Sequence, residues 1–165
     1  MSRTLDLGCG VNPRNPFNVE EVFGVDVRDD LSASIKKADL AIESIPFEND
    51  FFEYVTAYDF LEHIPRVVYA PHRRNSFVEV MNEVYRVLKM GGVFLSFTPA
   101  YPHVAAFQDP THVNYVTEDT FRFYFDSFNR AAKGYGFTGA FEVLKQEWRE
   151  QYLLVVLRKV PVPAE

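Results

Sequence analysis

The spacing of apolar residues along this chain changes period several times, and each change marks an element. The run Thr4-Leu5-Asp6-Leu7 stops at Gly8-Cys9-Gly10 and predicts a buried strand feeding a tight turn. Residues 22–27, Val-Phe-Gly-Val-Asp-Val, predict a second strand ending near Asp26, and residues 37–41 a third. Residues 51–58 are β-branched and aromatic, which fits a fourth. From 74 to 89 the period becomes helical: Phe77, Val80, Met81, Val84, Val87 and Leu88 share one face, with Lys89 in the last turn and Gly91-Gly92 as the expected stop. Residues 93–98 predict a strand halted by Pro99. A second helix is expected over 118–130, with Phe121, Tyr124, Phe125 and Phe128 on one face and Thr117 as N-cap. Residues 141–148 and 151–160 predict two closing strands.

Strands that alternate with helical or loop segments imply an α/β fold with a mostly parallel sheet, and two consecutive strands at the C-terminus imply that one of them is antiparallel. At 165 residues, without a repeat, linker or low-complexity tract, residues 1–165 are expected to form a single domain.

Composition narrows the class. The net charge of −6 argues against a dedicated nucleic-acid binder, which would usually show a basic stripe. Aromatic residues make up 16% of the chain, with 16 Phe and 9 Tyr, so an aromatic-rich core or pocket is expected. Cys9 is the single cysteine, which excludes an intrachain disulfide and any C-x-x-C motif. The first residues lack the apolar stretch of a signal peptide, and no run approaches 18 apolar residues, so no membrane association and a reducing, cytoplasmic location are expected.

The chemistry begins at Leu5-Asp6-Leu7-Gly8-Cys9-Gly10 and Gly24-Val25-Asp26. Glycines at the end of a first strand let backbone approach a ligand, and an acid at the end of the second can accept from both ribose hydroxyls. Asp26 lies 18 positions after Gly8, near the spacing of a mononucleotide-binding half. The third glycine of a dinucleotide fingerprint is replaced by Pro13, and residues 11–16 cannot start a long helix, so a ligand with ribose but no phosphate fits better than a pyrophosphate.

Here the chain resembles the class I S-adenosylmethionine-dependent methyltransferases. Residues 5–10 resemble that family's first motif and residues 24–26 its second. Ala38-Asp39-Leu40 is similar to the third-strand motif, residues 58–64 to the segment after strand four, and residues 87–95 to the approach to strand five. The resemblance runs in order over about residues 4–98 and implies a Rossmann-like sheet and S-adenosyl-L-methionine as cofactor. It implies that Asp26 binds ribose, that Asp39 and Leu40 contact adenine, and that Asp6 helps hold the methionine amine, although Asp6 could equally cap the turn. Gly8, Cys9, Gly10 and Val27 complete the implied pocket, with Tyr58, Asp59, Phe60 and His63 beside the methionine part. The chain departs from the family in its first helices. Only residues 18–22 leave room for a turn between the first two strands, the helix within 29–36 is short, and no helices precede the first strand.

A second polar cluster follows strand five: Tyr101, His103, Gln108, Asp109, His112, Asn114 and Tyr115. Methyl transfer to oxygen or nitrogen needs alignment and a base. His103 or His112 is the expected base, with Asp109 orienting one imidazole and His63 as a third candidate. No metal is expected, because no regular i, i+4 ligand pair is present. Cys9 has no neighbouring base and reads as a small buried residue.

The expected function is methyl transfer to an oxygen or nitrogen of a small-molecule acceptor. One alternative is a nucleic-acid methyltransferase, but the D/N-P-P-Y/F pattern of base methyltransferases is missing after strand four, where Tyr58-Asp59-Phe60-Leu61 stands. Another is a non-catalytic cofactor-binding or assembly protein. The reduced helical cover implies an exposed apolar sheet face and hence a homodimer. It also implies an aromatic-backed lid formed by residues 101–128.

Overall fold

A computed structural model describes residues 1–29 and 32–164. The strands are β1 (Arg3–Leu7), β2 (Glu21–Asp26), β3 (Ile35–Lys37), β4 (Phe52–Tyr58), β5 (Leu88–Pro99), β6 (Phe141–Arg149) and β7 (Tyr152–Lys159). They form one seven-stranded sheet in the order β3-β2-β1-β4-β5-β7-β6. The first five are parallel, and β7 runs antiparallel to both β5 and β6. This is the Rossmann-like arrangement expected. Strand order reverses between β1 and β4, the point where ligands bind in open α/β sheets.

Helices are few among the described residues: α1 (Ser76–Val87) and the short α2 (Thr120–Tyr124), beside three 3-10 turns. Phe77, Val80, Met81, Val84 and Val87 of α1 are buried and belong to one core with Leu5, Leu7, Val55, Ala57 and Phe94 of the sheet. Each such side chain contributes about 1.5–3 kcal/mol by leaving water. At the C-terminal side Phe77, Phe121, Phe125, Phe137 and Phe141 extend this core, with Phe77 and Phe125 edge to face at 5.4 Å. The opposite sheet face has no helix from residues 8–20. The loop there lays Phe17 flat on Tyr54 at 4.1 Å and the Arg14 guanidinium over Tyr58 at 4.6 Å. Rings and a cation thus cover part of the face that a helix would have covered.

Five expectations change. The helix over 74–89 ends at Val87, and Leu88 passes directly into β5, so Lys89 is a strand residue paired with Glu53. Gly91-Gly92 is therefore no helix stop but part of a bulge, where pairing jumps from Phe52–Leu88 to Tyr54–Val93. A Cβ on Gly92 would lie 2.8 Å from the Lys89 carbonyl and 3.0 Å from that of Glu53, so the bulge closes only around glycine. The third strand is Ile35–Lys37 rather than 37–41. Of the helix expected within 29–36, residues 30 and 31 lie outside the described residues, and 35–36 are strand. The helix expected over 118–130 shrinks to Thr120–Tyr124 with Asp119, not Thr117, as its N-cap residue. Beyond Phe125 the backbone pairs instead with Phe141 of β6: the Phe141 amide donates to the Phe125 carbonyl, and the Ser127 amide to that of Phe141. No helix among the described residues is long and apolar enough to cross a membrane.

Candidate active site

The C-terminal ends of β1, β2, β3 and β4 border a cleft of about 390 Å3, lined by Gly8, Asp26, Val27, Asp39, Leu40, Asp59, Phe60 and His63 among others. Its floor is the turn after β1. The amides of Gly8 and Cys9 both donate to the Val25 carbonyl, at 2.9 and 3.3 Å, stitching the turn to the end of β2. Gly8 has φ +66°, and a Cβ there would sit 2.5 Å from Cδ2 of Phe60. Only glycine lets the turn and Phe60 approach this closely.

Asp26 is 6% exposed and borders the cleft. Its Oδ2 accepts from the Gly10 amide at 2.7 Å and its Oδ1 from the Arg28 amide at 3.1 Å. A carboxylate oxygen has two lone pairs, so Oδ2 keeps one free, while the second on Oδ1 faces the exposed Arg28 side chain, whose Nε is 3.5 Å away. Asp39 is similar: Oδ1 accepts from the Ala41 amide at 3.0 Å, and Oδ2 has no partner among the described residues. Val27, 59% exposed, and the buried Leu40 add apolar surface to this end of the cleft. A glycine turn, a buried acid with a spare lone pair and apolar neighbours fit an adenosine-bearing cofactor.

Asp6 and Cys9 lie behind this floor. Asp6 is buried; its Oδ1 accepts from the Thr56 hydroxyl at 2.7 Å and its Oδ2 from the Arg14 amide at 2.8 Å. Burial raises its pKa, opposed by the Arg14 amide, the Thr56 hydroxyl and the Arg14 charge. Asp6 thus braces the 8–18 loop against β4. Cys9 Sγ donates to the Gly10 carbonyl at 3.3 Å, and burial with the charges of Asp6 and Asp26 pushes its pKa to about 11. A thiol held protonated is a poor nucleophile.

At His63 the cleft meets a second group, of which His63 is the member that lines it. A 3-10 turn, Leu61–His63, follows β4. The segment after β5 folds back onto it: the Val113 and Asn114 amides donate to the Glu62 carbonyl at 2.8 and 3.0 Å, and Asn114 Nδ2 donates to the Leu61 carbonyl at 3.0 Å. This docking sets the His112 ring 4.9 Å from the His63 ring, edge to face. His112 Nε2 lies 4.0 Å from Asp109 Oδ2, and His63 Nδ1 lies 3.1 Å from the Thr111 hydroxyl. That hydroxyl and the Thr111 amide bond to Asp109 Oδ1 and hold the Asp109 pKa below its ordinary value. Beneath the two rings lies Glu62, 1% exposed, with neither carboxylate oxygen in a hydrogen bond. Burial pushes its pKa up to about 8; its own amide and the Thr98 hydroxyl, both short of full hydrogen-bond geometry, oppose this, while the charges of Asp59 and Asp109 add to it.

The structure therefore brings His112, Asp109 and His63 together and leaves His103 apart. The His103 ring packs edge to face on Trp148 of β6 at 5.0 Å. Asp59 lines the cleft and Tyr58 precedes it at the end of β4; the Arg14 guanidinium donates to the Tyr58 carbonyl at 3.4 Å and lies 3.9 Å from Asp59. Two functional candidates are missed by sequence reasoning. Glu62 stands beside His63 in a stretch already singled out, yet its burial appears only in three dimensions. Arg14 follows the glycine turn but bears no periodic signal.

The family model described as a methyltransferase domain matches residues 5–96. That span contains all the cleft residues named above and ends before the 109–112 segment. No curated protein matches the chain. Among solved structures, YcgJ from Bacillus subtilis is similar at 15% identity and TM-score 0.63, over 97% of this chain and 92% of its own. An S-adenosylmethionine-dependent methyltransferase from Mesorhizobium loti is similar at 17% identity and TM-score 0.63, over 95% and 90%. The [4+2]-cyclase SpnF is similar at 16% identity and TM-score 0.62, over 96% and 74%. At these identities the likeness is one of fold.

Proposed function

Because this chain belongs to the class I S-adenosylmethionine-dependent methyltransferase family, we propose that it methylates an oxygen or nitrogen of a small-molecule acceptor. The observation that carries this reading is the cleft's two unlike ends: a glycine turn with spare carboxylate lone pairs at one, an imidazole cluster at the other. S-adenosyl-L-methionine bound there would supply an activated methyl group. Asp26 would accept from the ribose hydroxyls, and Asp39 with Val27 and Leu40 would meet the adenine. The Gly8–Gly10 backbone and the residues from Tyr58 to His63 would flank the methionine part, with Cys9 packed beneath and Asp6 bracing the loop.

The acceptor would dock beside His63 and His112. Two imidazoles and a carboxylate give its nucleophilic atom surroundings that favour loss of a proton. Asp109 is a positioning residue here, acting through Thr111 on His63 and directly beside His112. His103, held on Trp148, is not assigned a proton-transfer role. A small acceptor is favoured over nucleic acid by the net charge of −6.

The fold also carries a cyclase, so the reaction must be tested as such. The test is release of S-adenosylhomocysteine with a panel of hydroxyl- and amine-bearing metabolites. Turnover with one acceptor class supports the reading. Tight cofactor binding without turnover on any acceptor would favour a non-catalytic role.

A further inference from the structure

Glu62, His63 and His112 each offer one ligand atom, and these three atoms lie within 4.8 Å of one another. The hydrogen-bond network fixes what the two rings present. The Thr111 hydroxyl has one proton, and Asp109 Oδ1, 2.7 Å away, can only accept it. The Thr111 oxygen must then accept from His63 Nδ1–H at 3.1 Å, which leaves the lone pair of that ring on Nε2. His112 Nδ1 lies 3.3 Å from the Ala106 carbonyl, which also only accepts, so the neutral form of this ring too keeps its lone pair on Nε2. An imidazole whose other nitrogen donates to a carbonyl or hydroxyl has the arrangement of a metal-bound histidine.

Glu62 supplies an independent observation. It is a buried carboxylate, 1% exposed, and both of its oxygens lack a hydrogen-bond partner. As a carboxylate it is costly in such a place unless it takes up a proton or something with positive charge meets it, and only the second leaves it a ligand. No lysine or arginine is paired with it among the described residues. Of the arginines near this segment, Arg66 is spent on Asn114 Oδ1, at 2.9 Å, and the Tyr115 carbonyl, and Arg14 on the Tyr58 carbonyl and Asp59.

We propose that Glu62, His63 and His112 form a binding site for one divalent transition-metal ion of the zinc type. Two imidazoles and one carboxylate are a donor set that zinc takes with an open fourth position. Ligand atoms around such an ion stand about 3.3 Å apart for bonds of about 2.0–2.2 Å. The site therefore closes by a shift of roughly 1.5 Å or less, which the exposed His63 can supply. His63 lines the cleft, so an ion it held would lie beside the space where the proposed reaction puts the acceptor, and with both Nε2 lone pairs engaged its charge, not a free imidazole, would favour loss of the acceptor's proton. The ion site itself stands on the three side chains and does not depend on the cofactor.

The test uses the full chain, stripped with a chelator and titrated with Zn2+ by calorimetry, with metal content measured by mass spectrometry after gel filtration. One equivalent is expected. Glu62→Gln, His63→Ala and His112→Ala should each weaken binding by more than ~100-fold, beyond the 10–100-fold that outer-sphere partners cost. His72→Ala and Cys9→Ser should leave it unchanged, which excludes an incidental thiol or surface site. Co2+ should give a visible absorption band that is lost in the same three variants. His63→Ala alters an exposed side chain and guards against reading misfolding of the buried variants as loss of metal. Asp26→Ala should abolish cofactor binding yet keep the metal, so failure of the methyl-transfer reading and failure of this site are distinguishable. No stoichiometric Zn2+ binding, or binding indifferent to all three substitutions, overturns the proposal.

Discussion

The two ends of the cleft solve opposite problems. At the glycine end the polar groups are already engaged: Asp6 is bonded through both oxygens and Asp26 takes two backbone amides. At the histidine end Glu62 is buried with both oxygens unmet, while two rings hold free lone pairs above it. The first arrangement is a rigid receptor whose spare capacity suits neutral hydroxyls. The second is an incomplete polar cluster, which costs stability until something meets it. Binding and chemistry are thus separated along one cleft by how fully each end satisfies itself.

The sharpest way to break this comparison is at the histidine end. His112→Ala should lower the methyl-transfer rate by ~100-fold or more, the scale of a lost proton-transfer or ligand group, while cofactor affinity stays within about threefold. S-adenosylhomocysteine release and calorimetry on the same preparation read both numbers; equal losses in rate and affinity would erase the distinction between the ends. The next effect belongs to the glycine end. Gly8→Ala forces a side chain into a positive-φ position against Phe60 and should cost about 1–3 kcal/mol of stability, read as a fall in Tm, with weaker cofactor binding. An unchanged Tm would show that the turn is not tight.

Much of the glycine end is legible in the sequence because it is local. Leu5 to Gly10 and Gly24 to Asp26 are short runs whose glycines and acid fall at strand ends, and strand ends are read from a change of period. The histidine end is not local. Its placement depends on Asn114 and Val113 reaching back about fifty residues to Glu62 and Leu61, which no periodic pattern announces. His103 and His112 look alike in sequence; the packing of one on Trp148 of a distant strand separates them. Gly91-Gly92 misleads for a related reason. A glycine pair after a helical pattern reads as a cap, yet the next strand begins at Leu88 and needs the pair for a bulge. The aromatic excess divides along the same line, with Phe121 and Phe125 in the core while Tyr101, Phe107 and Tyr115 remain exposed near one another.

Two smaller effects sharpen the contrast. Cys9, with its pKa near 11, should resist iodoacetamide at pH 7.5. Because the thiolate is the reacting form, its alkylation rate in the folded protein should climb by about tenfold per pH unit until pH approaches 11. A plateau near pH 8 would place the thiol in a different environment. His103→Ala should change the methyl-transfer rate by less than about threefold, since it touches neither end; a loss as large as that of His112→Ala would move the chemistry toward β6.

The central claim is that the glycine end holds the cofactor independently of the histidine end. Calorimetric titration of S-adenosylhomocysteine into the wild-type chain, Asp26→Ala and His112→Ala tests it in one experiment. The account predicts micromolar binding to the wild type (Kd on the order of 1–100 μM, or about 5.5–8 kcal/mol), its loss in Asp26→Ala and its retention in His112→Ala. No heat with the wild type, or full binding by Asp26→Ala, would contradict it.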